Sequence, residues 1–279
     1  MSVAISLRAD QVAWNIARID HNIGRRVLLE LYRQPHIYDL IYRGGTEDQF
    51  AALQKIAQAP GVATEGRWLE TACGSARLLE RAERAGIAVA GFDREEVMVR
   101  YGEERLSSSA QLEVADLESF ADRFSEVRFP FAFTLVNTIR HLMTDEAVLQ
   151  HFEEMARVLA SQGQYVIGIS LLDRARVEIE EDVWVGAAEG IRVSEVAQSL
   201  PPESESDRRE TILSHVTVER DGEPAEHHDH SFFLRTYTQE EWESLIGDSA
   251  LKVRETYDLW GDRKPAGGGE YILYALSSR

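Results

Sequence analysis

At 279 residues, with 44% hydrophobic and 28% charged residues, the chain is long and apolar enough to bury a substantial core. Thirty Lys and Arg against 48 Asp and Glu leave a net charge of −18, the wrong balance for a protein that grips a phosphate backbone, so no nucleic-acid partner is expected. No apolar run reaches membrane-spanning length, residues 1–10 lack a basic region followed by an apolar stretch, and the single cysteine, Cys73, fits a reducing, cytoplasmic setting.

Val12, Ile16, Ile19, Ile23 and Val27 recur at helical spacing and predict a helix from Val12 to Tyr32, ended by Pro35. A second helix is expected over Thr46 to Gln58, burying Phe50, Leu53 and Ile56 and stopping at Pro60-Gly61. From Arg67 strands and helices alternate. Strands are expected at Trp68–Ala72, Ile87–Phe92, Leu112–Ala115, Phe131–Val136 and Tyr165–Ser170, with helices between them. Thr144 is placed to cap the helix whose buried stripe is Val148, Phe152, Met155 and Leu159, and Gly163 to close it. Repeated units of this kind predict an α/β fold with a doubly wound, mostly parallel sheet.

The alternation lapses over Leu171 to Arg209, which is charged and carries Pro201-Pro202. Ile212–Glu219 and His227–Leu234 read as an antiparallel pair around Asp221-Gly222. Thr238-Gln239-Glu240-Glu241 forms a capping box for a further helix. Two last strands, Leu251–Trp260 and Tyr271–Leu276, flank Gly267-Gly268-Gly269, a connection suited to an antiparallel terminal pair. The expectation is a single domain over residues 1–279, with N-terminal helices in 1–60 and an insertion in 171–234.

Chemistry concentrates in Trp68-Leu69-Glu70-Thr71-Ala72-Cys73-Gly74-Ser75-Ala76-Arg77. An acidic residue ends a strand, a turn of small residues lets a ligand approach the backbone, and a helix begins whose free amides favour negative groups. Asp93 ends the next strand, where a carboxylate can accept both hydroxyls of a ribose, and Asp116 ends the third. Three strands thus deliver carboxylates to the sheet edge where open α/β sheets bind ligands.

From about Tyr38 onward the sequence resembles the class I S-adenosylmethionine-dependent methyltransferases, with Glu70-x-Ala72-x-Gly74-x-Ala76 in place of their acidic-x-Gly-x-Gly-x-Gly motif. It is similar in layout to the sugar N,N-dimethyltransferases, through Tyr38-Asp39-Leu40-Ile41-Tyr42-Arg43-Gly44, Thr138-Ile139-Arg140-His141-Leu142 and Arg235-Thr236-Tyr237-Thr238-Gln239-Glu240. The resemblance implies a seven-stranded sheet with an antiparallel terminal strand and a β-containing insertion after the fifth strand. It implies S-adenosylmethionine as cofactor and a small-molecule substrate, and it allows a homodimer. By resemblance Glu70 and Gly74 line the methionine portion, Ala72 contacts the cofactor, Asp93 holds the ribose, and Asp116 with Leu117 borders the adenine. Asn137 falls near the sulfonium, and Tyr42 and Arg43 contact the cofactor. His141 and Tyr38 are the residues expected to steer or remove the acceptor's proton.

Other readings fit less. Ala72-Cys73-Gly74-Ser75-Ala76-Arg77 is not the Gly-x-Gly-x-x-Gly of a nicotinamide enzyme, and Asn137-Thr138-Ile139-Arg140 is not the Asn/Asp-Pro-Pro-aromatic segment of base N-methyltransferases. His227-His228-Asp229-His230 lacks a third ligand at convincing spacing, so no metal is expected. A non-catalytic module that keeps the fold to bind or sense the cofactor is the alternative from a different functional class.

Overall fold

The structure is a computed structural model describing residues 31–59, 66–175, 178–204 and 207–279. Of the helix expected over Val12 to Tyr32, all but the last two residues lie outside the described residues, as does the Pro60-Gly61 stop.

In chain order the elements begin with helices α1 (Pro35–Tyr42) and α2 (Thr46–Ala57), then β1 (Trp68–Thr71), α3 (Arg77–Arg84), β2 (Val89–Asp93) and α4 (Glu96–Arg105). Next come β3 (Gln111–Val114), β4 (Phe129–Thr134), α5 (Asp145–Val158) and β5 (Leu159–Ser170). Four strands follow, β6 (Glu180–Ala188), β7 (Ile191–Leu200), β8 (Arg209–Arg220) and β9 (Glu226–Arg235). The chain closes with α6 (Gln239–Gly247), β10 (Leu251–Tyr257) and β11 (Tyr271–Ser278).

Among the described residues seven strands form one sheet in the order β3-β2-β1-β4-β5-β11-β10. Strands β1 to β5 pair in parallel, and β11 runs antiparallel to both β5 and β10. Strands β1, β2 and β4 are buried at every position, as a sheet covered on both faces requires. Alternation then divides the core: Phe131 and Phe133 join Phe50, Leu53 and Trp68 in one layer, while Ala132 joins Phe92, Phe152, Tyr165 and Trp242 in the other. The strand order reverses between β1 and β4, which opens the crevice at their C-terminal ends.

The described residues divide into two compact units, one drawn from 1–44 and 177–234, the other from 45–176 and 235–279. The second holds the seven-stranded sheet. In the first, β6-β7-β8-β9 form an antiparallel sheet against which α1 packs through Ile37, Leu40 and Ile41, meeting Val193, Val216 and Val218. Gly186 makes that packing possible, because a Cβ there would lie 1.9 Å from the Leu40 carbonyl oxygen.

Two local expectations are corrected. Leu171 to Arg209 is not irregular: it contains β6 and β7, a hairpin turning at Glu189 and Gly190, whose φ values of +52° and +79° match the right-handed twist of the strands. Gly163 does not close α5; the helix ends at Val158 and Gly163 lies inside β5, where a Cβ would meet the Phe129 carbonyl oxygen at 2.7 Å. Leu31 and Tyr32 are helical and the helix stops before Pro35, as expected; Pro35 is also the first residue of α1, a position where its missing N–H costs nothing. The Thr144 cap and the Thr238–Glu241 capping box form as the sequence predicts.

Candidate active site

The turn after β1 has a glycine-like shape even where the residue is alanine. Ala72, Gly74 and Ala76 have φ of +50°, +51° and +59°, a region that costs a residue bearing a Cβ about 1–2 kcal/mol. Neighbouring glycines make room for the turn. A Cβ at Gly91 on β2 would lie 2.6 Å from Leu79 Cδ1 and 3.2 Å from Cys73 Sγ, and one at Gly102 on α4 would lie 3.0 Å from the Ala76 methyl. Cys73 itself is buried, and burial pushes its thiol above the ordinary range, so it packs rather than reacts.

Asp93 ties the next strand end to this turn. Its Oδ2 accepts the Gly74 N–H at 2.8 Å, and its Oδ1 accepts the Glu95 N–H at 3.0 Å. Burial raises its pKa, and the two backbone N–H groups oppose that rise. Each oxygen keeps a further lone pair for a hydroxyl donor. Glu70, at the same edge, is 7% exposed. Burial pushes its carboxyl up to about 8, the Arg77 guanidinium pulls against this, and the Asp93 charge adds to it. Glu70 Oε2 is buried and has no hydrogen-bond partner. An unpartnered carboxylate oxygen is costly unless a cation meets it, so the residues present fit the ammonium group of a bound S-adenosylmethionine.

Sequence reasoning missed Arg77. Its guanidinium donates to Thr46 Oγ1 at 3.0 Å and to Gln49 Oε1 at 2.7 Å, pinning α3 to α2 beside Glu70. A cation in the first helical turn after such a loop is the signal that was there to be read.

The third and fourth strand ends complete the edge. Asp116 is exposed, with Arg94 Nε 3.8 Å away, and Leu117 beside it is half-buried. After β4, Val136 and Asn137 are consecutive left-handed residues, with φ of +54° and +61°. The Val136 N–H donates to the Tyr271 hydroxyl at 2.8 Å, and a Cβ at Gly168 would collide with that oxygen at 1.9 Å. The Asn137 amide is occupied at both ends by Ser170, donating to Oγ at 3.0 Å and accepting the backbone N–H at 2.6 Å. Its side chain therefore fixes the turn to β5.

His141 ends the short helical turn Thr138–His141. Burial, together with the charges of Arg140 and Arg94, pulls its imidazole down to about 4, so the ring is neutral near pH 7. Reciprocal arginine contacts hold this segment. Arg140 Nε donates to the Arg235 carbonyl at 2.8 Å, and Arg235 donates to the Met143 carbonyl at 2.6 Å and pairs with Asp145 at 3.0 Å.

Tyr38 and Tyr42 lie on α1 and Arg43 in the short helical turn that follows it, in the other unit. The Tyr42 hydroxyl donates to Glu195 Oε2 at 2.8 Å, and Ser214 Oγ donates to Glu195 Oε1 at 2.5 Å. Tyr38 packs its ring 4.6 Å from that of Tyr42, and Arg43 pairs with Asp39. Glu195 gave no sequence signal, being one acidic residue in an alternating strand. The structure thus gathers Glu70, Ala72, Gly74 and Asp93 around one turn, and sets Asp116, Leu117, Asn137 and His141 at later strand ends of the same sheet. Among the described residues no group of three His, Cys, Asp or Glu is arranged to hold a metal, and no helix is long and apolar enough to cross a membrane.

Known proteins resemble this chain in one segment and in fold. Residues 69–163 match the family model described as a methyltransferase domain, a stretch that takes in the turn, Asp93, Asp116 and His141. A putative methyltransferase of Bacillus subtilis, YqeM, is 22% identical over 215 residues, covering 75% of this chain and 83% of its own. DesVI of Streptomyces venezuelae superposes with a TM-score of 0.70 at 22% identity, covering 88% of this chain and 98% of that one. An S-adenosylmethionine-dependent methyltransferase of Clostridium acetobutylicum gives 0.69 at 16% identity, with coverages of 88% and 98%. An amino pentose methyltransferase of Micromonospora echinaspora involved in calicheamicin biosynthesis gives 0.66 at 18% identity, with coverages of 86% and 96%. The matched segment, about a third of the chain, is similar to a methyltransferase domain, and the chain shares its fold with solved S-adenosylmethionine-dependent methyltransferases.

Proposed function

We propose that the protein methylates an amine or hydroxyl of a small molecule by direct in-line transfer. The observation that carries this reading is a buried Glu70 oxygen without a hydrogen-bond partner at the start of the left-handed turn that Asp93 holds through the Gly74 N–H. When bound, S-adenosylmethionine supplies an electrophilic methyl group on a sulfonium sulfur. Glu70 holds the ammonium end, Asp93 accepts from the ribose hydroxyls, and Asp116 with Leu117 borders the adenine. The Val136–Asn137 turn forms the wall between cofactor and acceptor. His141, neutral at physiological pH, accepts a hydrogen bond from the acceptor's N–H or O–H and steers its lone pair. Tyr38 is assigned to the acceptor's proton on the sequence reading. Tyr42 and Arg43 are assigned to the cofactor on the sequence resemblance.

Amino sugars and related amines are the acceptors to screen first, since the solved relatives include an amino pentose methyltransferase. The test is conversion of S-adenosylmethionine to S-adenosylhomocysteine in the presence of each acceptor, with mass detection of the methylated product. Cofactor binding without turnover across amines and hydroxylated compounds would favour the binding-module reading instead. The left-handed backbone at Ala72 and Ala76 supports cofactor binding, and turnover is what separates the two readings.

A further inference from the structure

Helix α5 reaches the loop after β3 with two buried polar side chains three residues apart, hence on one face. His151, fully buried, places Nδ1 2.8 Å from the Leu117 carbonyl oxygen. Glu154, 6% exposed, accepts the N–H groups of Phe120 at 2.8 Å and Ala121 at 2.7 Å through one carboxylate oxygen. Carbonyl and amides that a surface loop would leave to water are thereby held from beneath.

The other side of His151 leads to the first strand. Its Nε2 lies 2.7 Å from the Tyr165 hydroxyl, which lies 3.4 Å from Thr71 Oγ1. A carbonyl can only accept, so Nδ1 carries the proton, Nε2 accepts from Tyr165, and Tyr165 accepts from Thr71. The donors thus run in one direction, Thr71 to Tyr165 to His151 to Leu117. Thr71 is the residue before Ala72. A buried chain of hydrogen bonds therefore joins the methionine side of the proposed site to its adenine side. Burial also pulls His151 down to about 4, which keeps the ring neutral and the direction fixed at physiological pH.

We propose that His151, supported by Tyr165 and Glu154, is a positioning residue that holds the Leu117–Ala121 loop in the shape that accepts adenine, so that α5 sets the base selectivity of the site. This rests on the assignment of Asp116 and Leu117 to the adenine. His151→Phe removes the donor to Leu117. His151→Asn keeps an N–H donor near the position of Nδ1. Tyr165→Phe leaves the packing almost unchanged but removes the donor to Nε2, freeing the ring to take the other tautomer.

The experiment is calorimetric titration of the full-length protein and these variants with S-adenosylhomocysteine and with S-inosylhomocysteine, in which a carbonyl replaces the adenine amino group. The ratio of the two affinities should fall at least about fivefold in His151→Phe and about twofold in Tyr165→Phe, and return to within about twofold of wild type in His151→Asn. A general loss of stability would weaken both ligands together and leave the ratio unchanged. Unchanged ratios in His151→Phe and Tyr165→Phe, or in Tyr165→Phe alone if His151→Phe does not fold, would overturn the positioning role while leaving cofactor binding intact. Wild-type protein that binds neither ligand would overturn the cofactor assignment itself, and this inference with it.

Discussion

Gly74 donates its backbone N–H to Asp93 Oδ2 at 2.8 Å, so the carboxylate assigned to the ribose is also the one that fixes the turn assigned to the methionine. Replacing Asp93 should therefore damage both binding and architecture. Asp93→Ala is expected to weaken S-adenosylhomocysteine at least about 100-fold, or about 2.7 kcal/mol, and to destabilise the chain by about 1–3 kcal/mol through the unpaired Gly74 and Glu95 amides. Asp93→Asn keeps one acceptor oxygen and should fall between the two. Titration calorimetry and urea unfolding separate the two effects. Full affinity in the alanine variant would remove Asp93 from the site.

Glu70 makes both stability and binding depend on pH. Its carboxyl ionises near the ordinary 4.5 when unfolded but only at about 8 in the folded chain. Between those values the folded state holds a proton that the unfolded state has lost. Its contribution is complete below the unfolded pKa and disappears as pH rises through about 8. The melting temperature of the ligand-free protein should fall from about pH 5 to about pH 8, and Glu70→Gln should flatten that slope. Binding of an ammonium group favours the ionised form, so S-adenosylhomocysteine should release close to one proton at about pH 7. Calorimetry in buffers of different ionisation enthalpy measures it, and zero release would mean that Glu70 does not meet the ammonium.

The two alanines of the turn should respond differently to glycine. Ala72 is half-buried with φ of +50°, so Ala72→Gly relieves strain and loses little packing. A gain of about 0.5–1 kcal/mol is expected, the strain relief exceeding the added unfolded-state entropy. Ala76, at φ of +59°, is fully buried against Gly102, so Ala76→Gly gives up contacts along with strain and should come out near neutral. A β-branched residue at position 72 should cost more than about 2 kcal/mol. Chemical denaturation of the three variants orders them directly.

The sheet was legible because its strands are short apolar runs bounded by turns, and Glu70, Asp93 and Asp116 were legible because each ends one of them. The hairpin of β6 and β7 was not, since its alternation places Trp184, Glu195 and Ser194 among small and charged residues, without the continuous apolar run of a two-sided strand. The grouping of residues before 45 with those after 176 was also hidden, because it depends on which helix covers which sheet. Asn137 shows a further limit. Its position at a strand end is readable, but its amide turns back onto Ser170, 33 positions away, a contact made only by the folded chain. His151 illustrates the same limit from the other side: on a helix it reads as one more residue of the stripe around Phe152, and its bond to Leu117 spans 34 positions.

His141 is the residue on which the catalytic assignment turns. Its imidazole is held at about 4, so it stays neutral through the range in which the enzyme is expected to work. A ring with so low a pKa is too weak a base to strip a proton from an alkylammonium, and its contribution is to accept a hydrogen bond and aim the lone pair. His141→Phe should therefore lower kcat about 100-fold while changing the affinity for S-adenosylhomocysteine less than about threefold. The acid limb of kcat/KM should belong to the acceptor. It should move to lower pH with a less basic amine, and persist at the same pH in the residual activity of His141→Phe. An acid limb that stays in place when the amine is changed and vanishes in His141→Phe would instead make His141 the titrating base. Steady-state kinetics with two amines of different basicity decides between them.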